Sequence, residues 1–176
     1  ELEGSFPPHW DNFLHVIRST RGAKRVVDVG CGAGAYAFLS CENGLDYIGY
    51  DYSKYAVSLA EKFWGFNFIV SEYEDLTPSI VKDGDILVAN ALCDVLPDGN
   101  KCLKHLLSLG FDDLLIQRVR ITDKQSHFLE YQAYDIMTYE FYHNKPELLS
   151  LVDDHGYSLN MLWLYDNIYD LVIGKK

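Results

Sequence analysis

The chain has 176 residues, 48% of them hydrophobic, which is enough for one α/β domain with a full core and too few for two. Its formal net charge at pH 7 is -11 and its basic residues are scattered, so we expect no nucleic-acid partner, because a phosphate backbone would be repelled. No apolar run reaches the length that spans a membrane, and we expect no membrane partner.

The four cysteines bear on metal binding and on the cellular compartment. The first residue bears on the extent of the chain. The four cysteines show neither a Cys-x-x-Cys spacing nor a histidine pattern suited to zinc, so we expect no metal site. Free thiols are the normal state in a reducing cytoplasm, which is the expected location. The chain begins at Glu1 without a methionine, which is compatible with a single domain, residues 1–176, that is part of a larger multidomain protein.

The first predicted element in chain order is a short amphipathic helix within residues 1–22. Phe13, Leu14, Val16 and Ile17 are spaced so that they share one face of that helix. We expect such a helix to pack at the edge of a sheet or to act as a lid over a bound ligand.

A glycine loop follows the next predicted element, a short β-strand. Three valines between residues 26 and 29 form the β-branched run of a buried parallel strand, and Gly30, Gly32 and Gly34 come directly after it. Because glycine has no Cβ, a ligand can approach the backbone closely, and a helix that begins at residue 35 would direct free N–H groups toward the loop. This stretch predicts a cradle for a nucleotide or a nucleoside.

Two carboxylates help to choose the ligand, since the glycine spacing also fits the dinucleotide fingerprint and alone favours neither NAD nor S-adenosylmethionine. Asp28 stands two residues before the first glycine, where a carboxylate suits an ammonium and a sulfonium better than a pyrophosphate. The second predicted strand, residues 47–51, ends at Asp51, whose two oxygens match the two hydroxyl groups of a ribose. The alternative is that Asp51 only caps a turn or the helix that begins near Ser53.

The segment from Asp28 to Gly34, Asp-Val-Gly-Cys-Gly-Ala-Gly, resembles motif I of the class I S-adenosylmethionine-dependent methyltransferases. The resemblance covers nearly the whole chain, because residues 157–165 and 168–173 are predicted to form a C-terminal hairpin. It implies an α/β fold, a Rossmann-like three-layer sandwich with a mostly parallel seven-stranded sheet and a C-terminal antiparallel hairpin. It also implies S-adenosyl-L-methionine as cofactor, with S-adenosyl-L-homocysteine as product. A dinucleotide dehydrogenase would need further strand-helix units, for which no residues remain.

The remaining predicted elements alternate between helix and strand. Ser53, Asn100 and Asn144 have the residue types and positions of helix N-caps. We expect a helix at residues 35–42 and further strands at residues 66–70, 85–90 and 114–116.

The resemblance implies which residues contact the cofactor. Ser71 and Glu72 follow the third strand, where an acid often accepts a hydrogen bond from the adenine amino group. Glu74 and Asp75 are competitors of Glu72 for this role, and a solvated acidic turn is the other alternative. The loop after the fourth strand would pass beside the methionine portion and face the methyl acceptor. The predicted cofactor-binding residues are Asp28, Gly30, Cys31, Gly32, Gly34, Asp51, Tyr52, Ser71, Glu72, Asn90, Ala91 and Leu92.

Residues 121–145 are rich in tyrosine, phenylalanine and histidine, and we interpret them as an aromatic insertion on the acceptor side. A satellite core and an oligomer contact are the alternatives for this insertion. The predicted substrate-binding residues are Arg118, Tyr139 and Tyr142, and the predicted catalytic bases are His143, then Asp94 and His127. A surface histidine near a helix N-terminus is the alternative interpretation of His143.

Methyl transfer from a sulfonium depends mainly on positioning and desolvation, so a methyltransferase can lack a conspicuous catalytic motif. The loop after the fourth strand lacks the Asn-Pro-Pro-Tyr signature for exocyclic amino groups. A weaker resemblance, in residues 115–118 and 139–142, is to small methyltransferases encoded with surface-polysaccharide and secondary-metabolite genes. We therefore predict O-methylation of a small-molecule or glycan acceptor. N-methylation of a small amine and a cofactor-binding domain without turnover remain alternatives.

Overall fold

The computed structural model describes residues 7–65, 67–133 and 136–176. Phe66 in the predicted third strand, residues 1–6 of the predicted lid and residues 134–135 of the predicted aromatic insertion lie outside the described residues. The helices are α1 (Pro8–Ser19), α2 (Ala35–Glu42), α3 (Lys54–Trp64), α4 (Gly99–Ser108) and α5 (Lys145–Asp154). The strands are β1 (Arg25–Val29), β2 (Asp46–Asp51), β3 (Asn67–Val70), β4 (Asp85–Asn90), β5 (Asp113–Thr122), β6 (His127–Ala133), β7 (Ile136–Asn144), β8 (Tyr157–Tyr165) and β9 (Ile168–Lys175).

The described residues form one sheet of nine strands, seven of which follow the order β3-β2-β1-β4-β5-β9-β8. The first five run parallel, whereas β9 is antiparallel to β5 and to β8, so the chain ends in the predicted hairpin. The predicted fold class is confirmed. Because β1 pairs with β2 on one side and with β4 on the other, the strand order reverses at β1, and a crevice opens there at the carboxyl ends of the strands.

Helices cover both faces of the sheet and make it the middle of three layers. The side chains of α1, α2 and α3 pack on the face that includes Ile86 and Val88, and those of α4 and α5 pack on the face that includes Leu87 and Ala89. All four of these β4 residues are fully buried, which explains the continuous apolar run of this strand. None of the helices in the described ranges is long and apolar enough to cross a lipid bilayer.

The fifth strand is longer than the sequence predicts. Residues 114–116 are expected to form it, but β5 continues to Thr122, because Val119 and Ile121 keep the alternating burial of a strand. Beyond the end of β4, the same edge of β5 pairs in parallel with β7, with Arg120 opposite Tyr142. The strands β6 and β7 pair with each other, so the predicted aromatic insertion is a β-hairpin attached to this extension.

One of the three predicted N-caps is wrong. The side chain of Asp98, rather than Asn100, caps α4 by accepting from the N–H of Lys101 at 2.9 Å. Asn100 lies in the first turn, and its Oδ1 is 2.7 Å from His143 Nδ1 instead. The caps at Ser53 and Asn144 are confirmed, since each side chain accepts from a backbone N–H in the first turn of its helix.

Candidate cofactor and acceptor site

The loop between β1 and α2 forms the floor of the crevice. Gly30, Gly32 and Gly34 all have positive φ, at 76°, 53° and 78°. The N–H groups of Gly30 and Cys31 both donate to the carbonyl oxygen of Tyr50, at 2.8 and 3.1 Å, which fixes the loop to β2. A Cβ on Gly30 would lie 3.2 Å from Leu92 Cδ1. The loop therefore needs glycine both for its backbone shape and for the open space above it.

A cleft of about 400 Å³ opens beside the glycine loop. Apolar and aromatic side chains form most of its walls, and carboxylates stand at its rim. A second cleft of about 410 Å³ lies around Lys24 and Gly84, at the amino ends of the strands, and it contains none of the predicted site residues. The cleft at the loop is lined by the predicted residues Gly30, Asp51, Tyr52, Ser71, Glu72 and Leu92, and by Val29, Tyr50, Tyr73, Val95, Leu96 and Thr138.

Asp51 combines a structural contact with a place in the cleft. Its Oδ2 accepts from the N–H of Gly32 and its Oδ1 from the N–H of Ser53, both at 2.8 Å. The side chain is 8% exposed and lies in the wall of the cleft. Each carboxylate oxygen has a second lone pair, so Asp51 can hold the glycine loop and still accept from ribose hydroxyl groups. The two interpretations of Asp51 are compatible.

Asp28 lies beneath the glycine loop, outside the described lining of the cleft. It is buried, and its Oδ2 accepts from the hydroxyl group of Tyr47 at 2.7 Å. Burial raises the pKa of Asp28 to about 7, and the hydrogen bond from Tyr47 only partly opposes this. The predicted contact with an ammonium or sulfonium therefore has a physical obstacle: the carboxylate faces the protein interior. Its hydrogen bond with Tyr47 joins β1 to β2 beneath the glycine loop.

Five other predicted cofactor residues lie outside the cleft lining. The side chain of Cys31 packs in the core against α2 and α3, and burial raises the pKa of its thiol. Gly32 and Gly34 contribute backbone, and Gly34 is the left-handed N-cap residue of α2. Asn90 is the last residue of β4, and Ala91, directly after it, has φ of 51° and donates its N–H to Gln117 O at 3.2 Å.

Two buried oxygens near the carboxyl end of β4 have no hydrogen-bond partner among the described residues: Asn90 Oδ1, in the last residue of the strand, and Asp94 Oδ1, four residues beyond it. Asp94 is only 2% exposed, and its Oδ2 lies 2.5 Å from Arg120 Nη1. The other guanidinium nitrogen, Nη2, lies 3.0 Å from Glu140 Oε1. Burial raises the pKa of Asp94, and the charges of Arg120 and Arg118 oppose that rise. A partly satisfied, desolvated carboxylate thus lies in the segment between Leu92 and Val95, two residues that line the cleft.

Neither of the two predicted histidine bases lines the cleft. His143 is 0% exposed, its Nδ1 is 2.7 Å from Asn100 Oδ1, and its ring packs against Phe141 at 4.7 Å. Burial lowers its pKa to about 4. His127 stacks on Tyr142 at 5.0 Å and lines a shallow depression beside α4. The sequence interpretation of His143 as an accessible residue is corrected. In β7 it pairs with Ile121 of β5, and its side chain is buried against Asn100 of α4.

Of the three predicted substrate-binding residues, Arg118 lies in β5, whereas Tyr139 and Tyr142 lie on opposite faces of the β6–β7 hairpin. Alternation along β7 gives Thr138, Glu140 and Tyr142 one face and Tyr139 the other. Thr138 reaches the cleft, and the Tyr142 hydroxyl donates to Glu140 Oε2 at 3.0 Å. Tyr139 instead meets the ring of Phe128 at 5.6 Å. Tyr142 therefore shares the side of the hairpin that faces the cleft, and Tyr139 does not.

Several lining residues are absent from the sequence-based prediction. Tyr50, Tyr73, Val95 and Leu96 each lie within four residues of a predicted site residue, so a wider window around every strand end would have included them. Thr138 has no such local signal, because it reaches the cleft only through the pairing of β7 with the extension of β5.

Comparison with known proteins relates this geometry to a family. Residues 21–140 match the model of a family described as a methyltransferase domain. A search among curated proteins found no match. A similar solved structure is magnesium protoporphyrin IX methyltransferase from Synechocystis PCC 6803 with bound S-adenosylmethionine, with 15% identity and a TM-score of 0.72 over 94% of this chain and 77% of that chain.

Two further solved structures are also similar to this chain. The Burkholderia thailandensis 1,6-didemethyltoxoflavin-N1-methyltransferase, with its named ligand and S-adenosylhomocysteine bound, has 15% identity and a TM-score of 0.66 over 97% of this chain and 80% of that chain. A methyltransferase from Methanosarcina mazei has 17% identity and a TM-score of 0.64 over 98% and 99%. These likenesses show the fold, and the family model matches more than half of the chain. The predicted class is confirmed: the chain belongs to the methyltransferase domain family and has the fold of the class I S-adenosylmethionine-dependent methyltransferases.

Proposed function

We propose that this protein transfers a methyl group from S-adenosylmethionine to a hydroxyl group of a small molecule or glycan unit. The observation that carries the proposal is the buried Asp94 carboxylate, which has one unpartnered oxygen and stands between the cleft residues Leu92 and Val95 in sequence. A hydroxyl acceptor gains nucleophilicity when a carboxylate accepts its proton, and a desolvated carboxylate with a raised pKa is the better base.

The residues present fit the cofactor of this class. The space above Gly30 would be filled by a Cβ, and Asn90 Oδ1 is a buried acceptor that needs a donor. We assign the ribose to Asp51, the adenine to the wall formed by Ser71, Glu72 and Leu92, and the methionine portion to the loop after β4. When bound, S-adenosylmethionine supplies a methyl group on a sulfonium, ready for in-line displacement.

The protein groups have three tasks in this reaction. The glycine loop and Asp51 hold the donor at the carboxyl edge of the sheet. Leu92, Val95 and Leu96 form apolar walls that exclude water from the cleft, which favours the displacement. Asp94 Oδ1 receives the proton of the acceptor hydroxyl, while Arg120 holds Asp94 in place through Oδ2.

A methyl-transfer screen tests the proposal. The protein is incubated with radiolabelled S-adenosylmethionine and matched pairs of small hydroxyl and amine compounds, including monosaccharides and their amino-sugar counterparts. We expect label in the hydroxyl compounds. Label only in the amines would replace the proposal with N-methylation, and cofactor binding without transfer to any acceptor would favour a binding domain.

We also propose that the protein acts in the cytoplasm and that its partner is a small acceptor molecule. The four cysteines are free thiols, which supports placement in a reducing cytoplasm. The net charge of -11 supports a small acceptor in preference to a nucleic acid.

A further inference from the structure

A backbone irregularity sits at the carboxyl end of β5. The pairing of β5 with β9 shifts between Ile116 and Val119, so that two residues of β5, Gln117 and Arg118, stand opposite Asp170 alone. Arg118 has φ of 62°, in the left-handed region that side chains rarely adopt. This is a β-bulge, a feature that often redirects a side chain next to a functional site.

Asp170 holds the bulge in this shape. It is 0% exposed, and its Oδ1 accepts from the N–H of Arg118 at 2.9 Å. Its Oδ2 accepts from Gln117 Nε2 and from Asn12 Nδ2, both at 2.9 Å. The buried carboxylate accepts from three donors, one of which is the backbone N–H of Arg118, and so fixes the backbone there. Because Asp170 belongs to β9 and Asn12 to α1, these two elements set the orientation of the arginine.

Among the arginines and lysines of the described residues, Arg118 alone combines partial burial with the lack of a carboxylate partner. It is partly buried, and no carboxylate among the described residues lies within 4.0 Å of it, although the whole chain carries a net charge of -11. The positive charge of Arg118 lowers the pKa of both His9 and Asp94. The N–H of Ala91, another residue with positive φ, donates to the carbonyl oxygen of Gln117. Because Gln117 directly precedes Arg118, the backbone of the arginine lies beside the loop after β4.

We propose that Arg118 binds an anionic group of the methyl acceptor, and that the acceptor is therefore a small hydroxylated carboxylate. This inference rests on the proposed function, because it places the acceptor hydroxyl at Asp94. A guanidinium binds a carboxylate through two parallel hydrogen bonds, which orients as well as attracts the ligand. Arg118 and Asp94 then hold opposite ends of one molecule, the anion on the arginine and the hydroxyl on the aspartate.

A binding experiment tests the inference with 4-hydroxybenzoate and its neutral analogue 4-hydroxybenzamide as probes. The protein is saturated with S-adenosylhomocysteine, and each probe is titrated while the arginine Nε–Hε resonances are followed by NMR. We expect 4-hydroxybenzoate to bind about tenfold more tightly than the amide and to shift the Arg118 resonance.

Two variants separate the guanidinium from the fold. Arg118→Gly removes the charge and relieves the positive φ, so it should fold at least as stably and lose the preference for 4-hydroxybenzoate. Arg118→Lys keeps a charge and should retain part of that preference. Arg21→Gln, a loss of charge at the opposite ends of the strands, is the matched control and should bind both probes as the wild type does.

Each contrary result has a defined meaning. Equal affinity of the wild type for both probes, or an unchanged preference in Arg118→Gly, would overturn the inference. An Arg118→Gly variant that loses about tenfold in affinity for S-adenosylhomocysteine, yet keeps its affinity for 4-hydroxybenzoate, would assign the arginine to the carboxylate of the cofactor instead. If the wild type does not bind S-adenosylhomocysteine, the proposed function fails, whereas the probes can still be compared on the free protein.

Discussion

The two sides of the crevice are built in different ways. On the cofactor side, the groups that line the cleft lie at or directly after the carboxyl ends of β1, β2 and β3, as Gly30, Asp51 and Ser71 do. On the acceptor side, Asp94, Arg120 and Glu140 come from three segments and are joined by ion pairs. The cofactor side is therefore set by local sequence, and the acceptor side by contacts between distant residues. Substitutions on the two sides should separate cofactor affinity from turnover.

The largest effect is expected for Asp94→Asn, which keeps the size of the side chain and removes its ability to take a proton. We expect the methyl-transfer rate to fall by about 10²–10⁴-fold, the usual contribution of a general base. The affinity for S-adenosylhomocysteine, measured by calorimetry, should stay close to the wild-type value. A variant that loses cofactor affinity and keeps its rate would contradict the division between the two sides.

Asp170→Ala tests whether the acceptor side depends on buried contacts. The substitution leaves three donors without their acceptor inside the protein, so we expect the free energy of unfolding to fall by about 3 kcal/mol. Urea denaturation measures this change. Asp123→Ala, at an exposed position, is the control and should change stability little. Equal stabilities for the two variants would show that the network around Asp170 contributes nothing.

On the cofactor side, Asp51→Ala should weaken the binding of S-adenosylmethionine by about 1–3 kcal/mol, because charge-assisted hydrogen bonds to the ribose are lost. Calorimetric titration gives the affinity directly. Asp46→Ala changes an exposed carboxylate at the other end of β2 and should leave the affinity unaltered. If both variants bind as the wild type does, Asp51 only holds the glycine loop.

The smallest effect concerns Asp28 and appears as a pH dependence of stability. Burial raises the pKa of Asp28 to about 7 in the folded protein, above its ordinary value of 3.8, so the folded state holds the proton more tightly than the unfolded state. Its contribution to stability is fully present below pH 3.8 and is lost as the pH rises through about 7. The difference in unfolding free energy between wild type and Asp28→Asn should therefore change between pH 4 and pH 8, toward a relatively less stable wild type. A constant difference across this range would contradict the assignment.

The same contrast explains what could be predicted from the sequence. The glycine loop, Asp51, the caps at Ser53 and Asn144 and the C-terminal hairpin each depend on residues close together in the chain, so their patterns are sufficient. Thr138 and the burial of His143 depend on the register between β5 and β7, which joins segments more than 15 residues apart in ways that no local pattern encodes. The cap at Asn100 is wrong because Asp98 and Asn100 have similar propensities, and the contact of Asn100 with His143 decides between them.

The proposed reaction requires that the space above the glycine loop bind an adenosyl sulfonium cofactor. Calorimetric titration of the wild type and of Gly30→Val with S-adenosylhomocysteine and with NAD tests it most directly. A side chain on Gly30 would both occupy the floor of the cleft near Leu92 and strain a backbone with φ of 76°. We expect the wild type to bind one S-adenosylhomocysteine per chain, Gly30→Val to bind none, and neither protein to bind NAD. Binding of NAD in place of S-adenosylhomocysteine, or equal binding of S-adenosylhomocysteine by the two proteins, would contradict it.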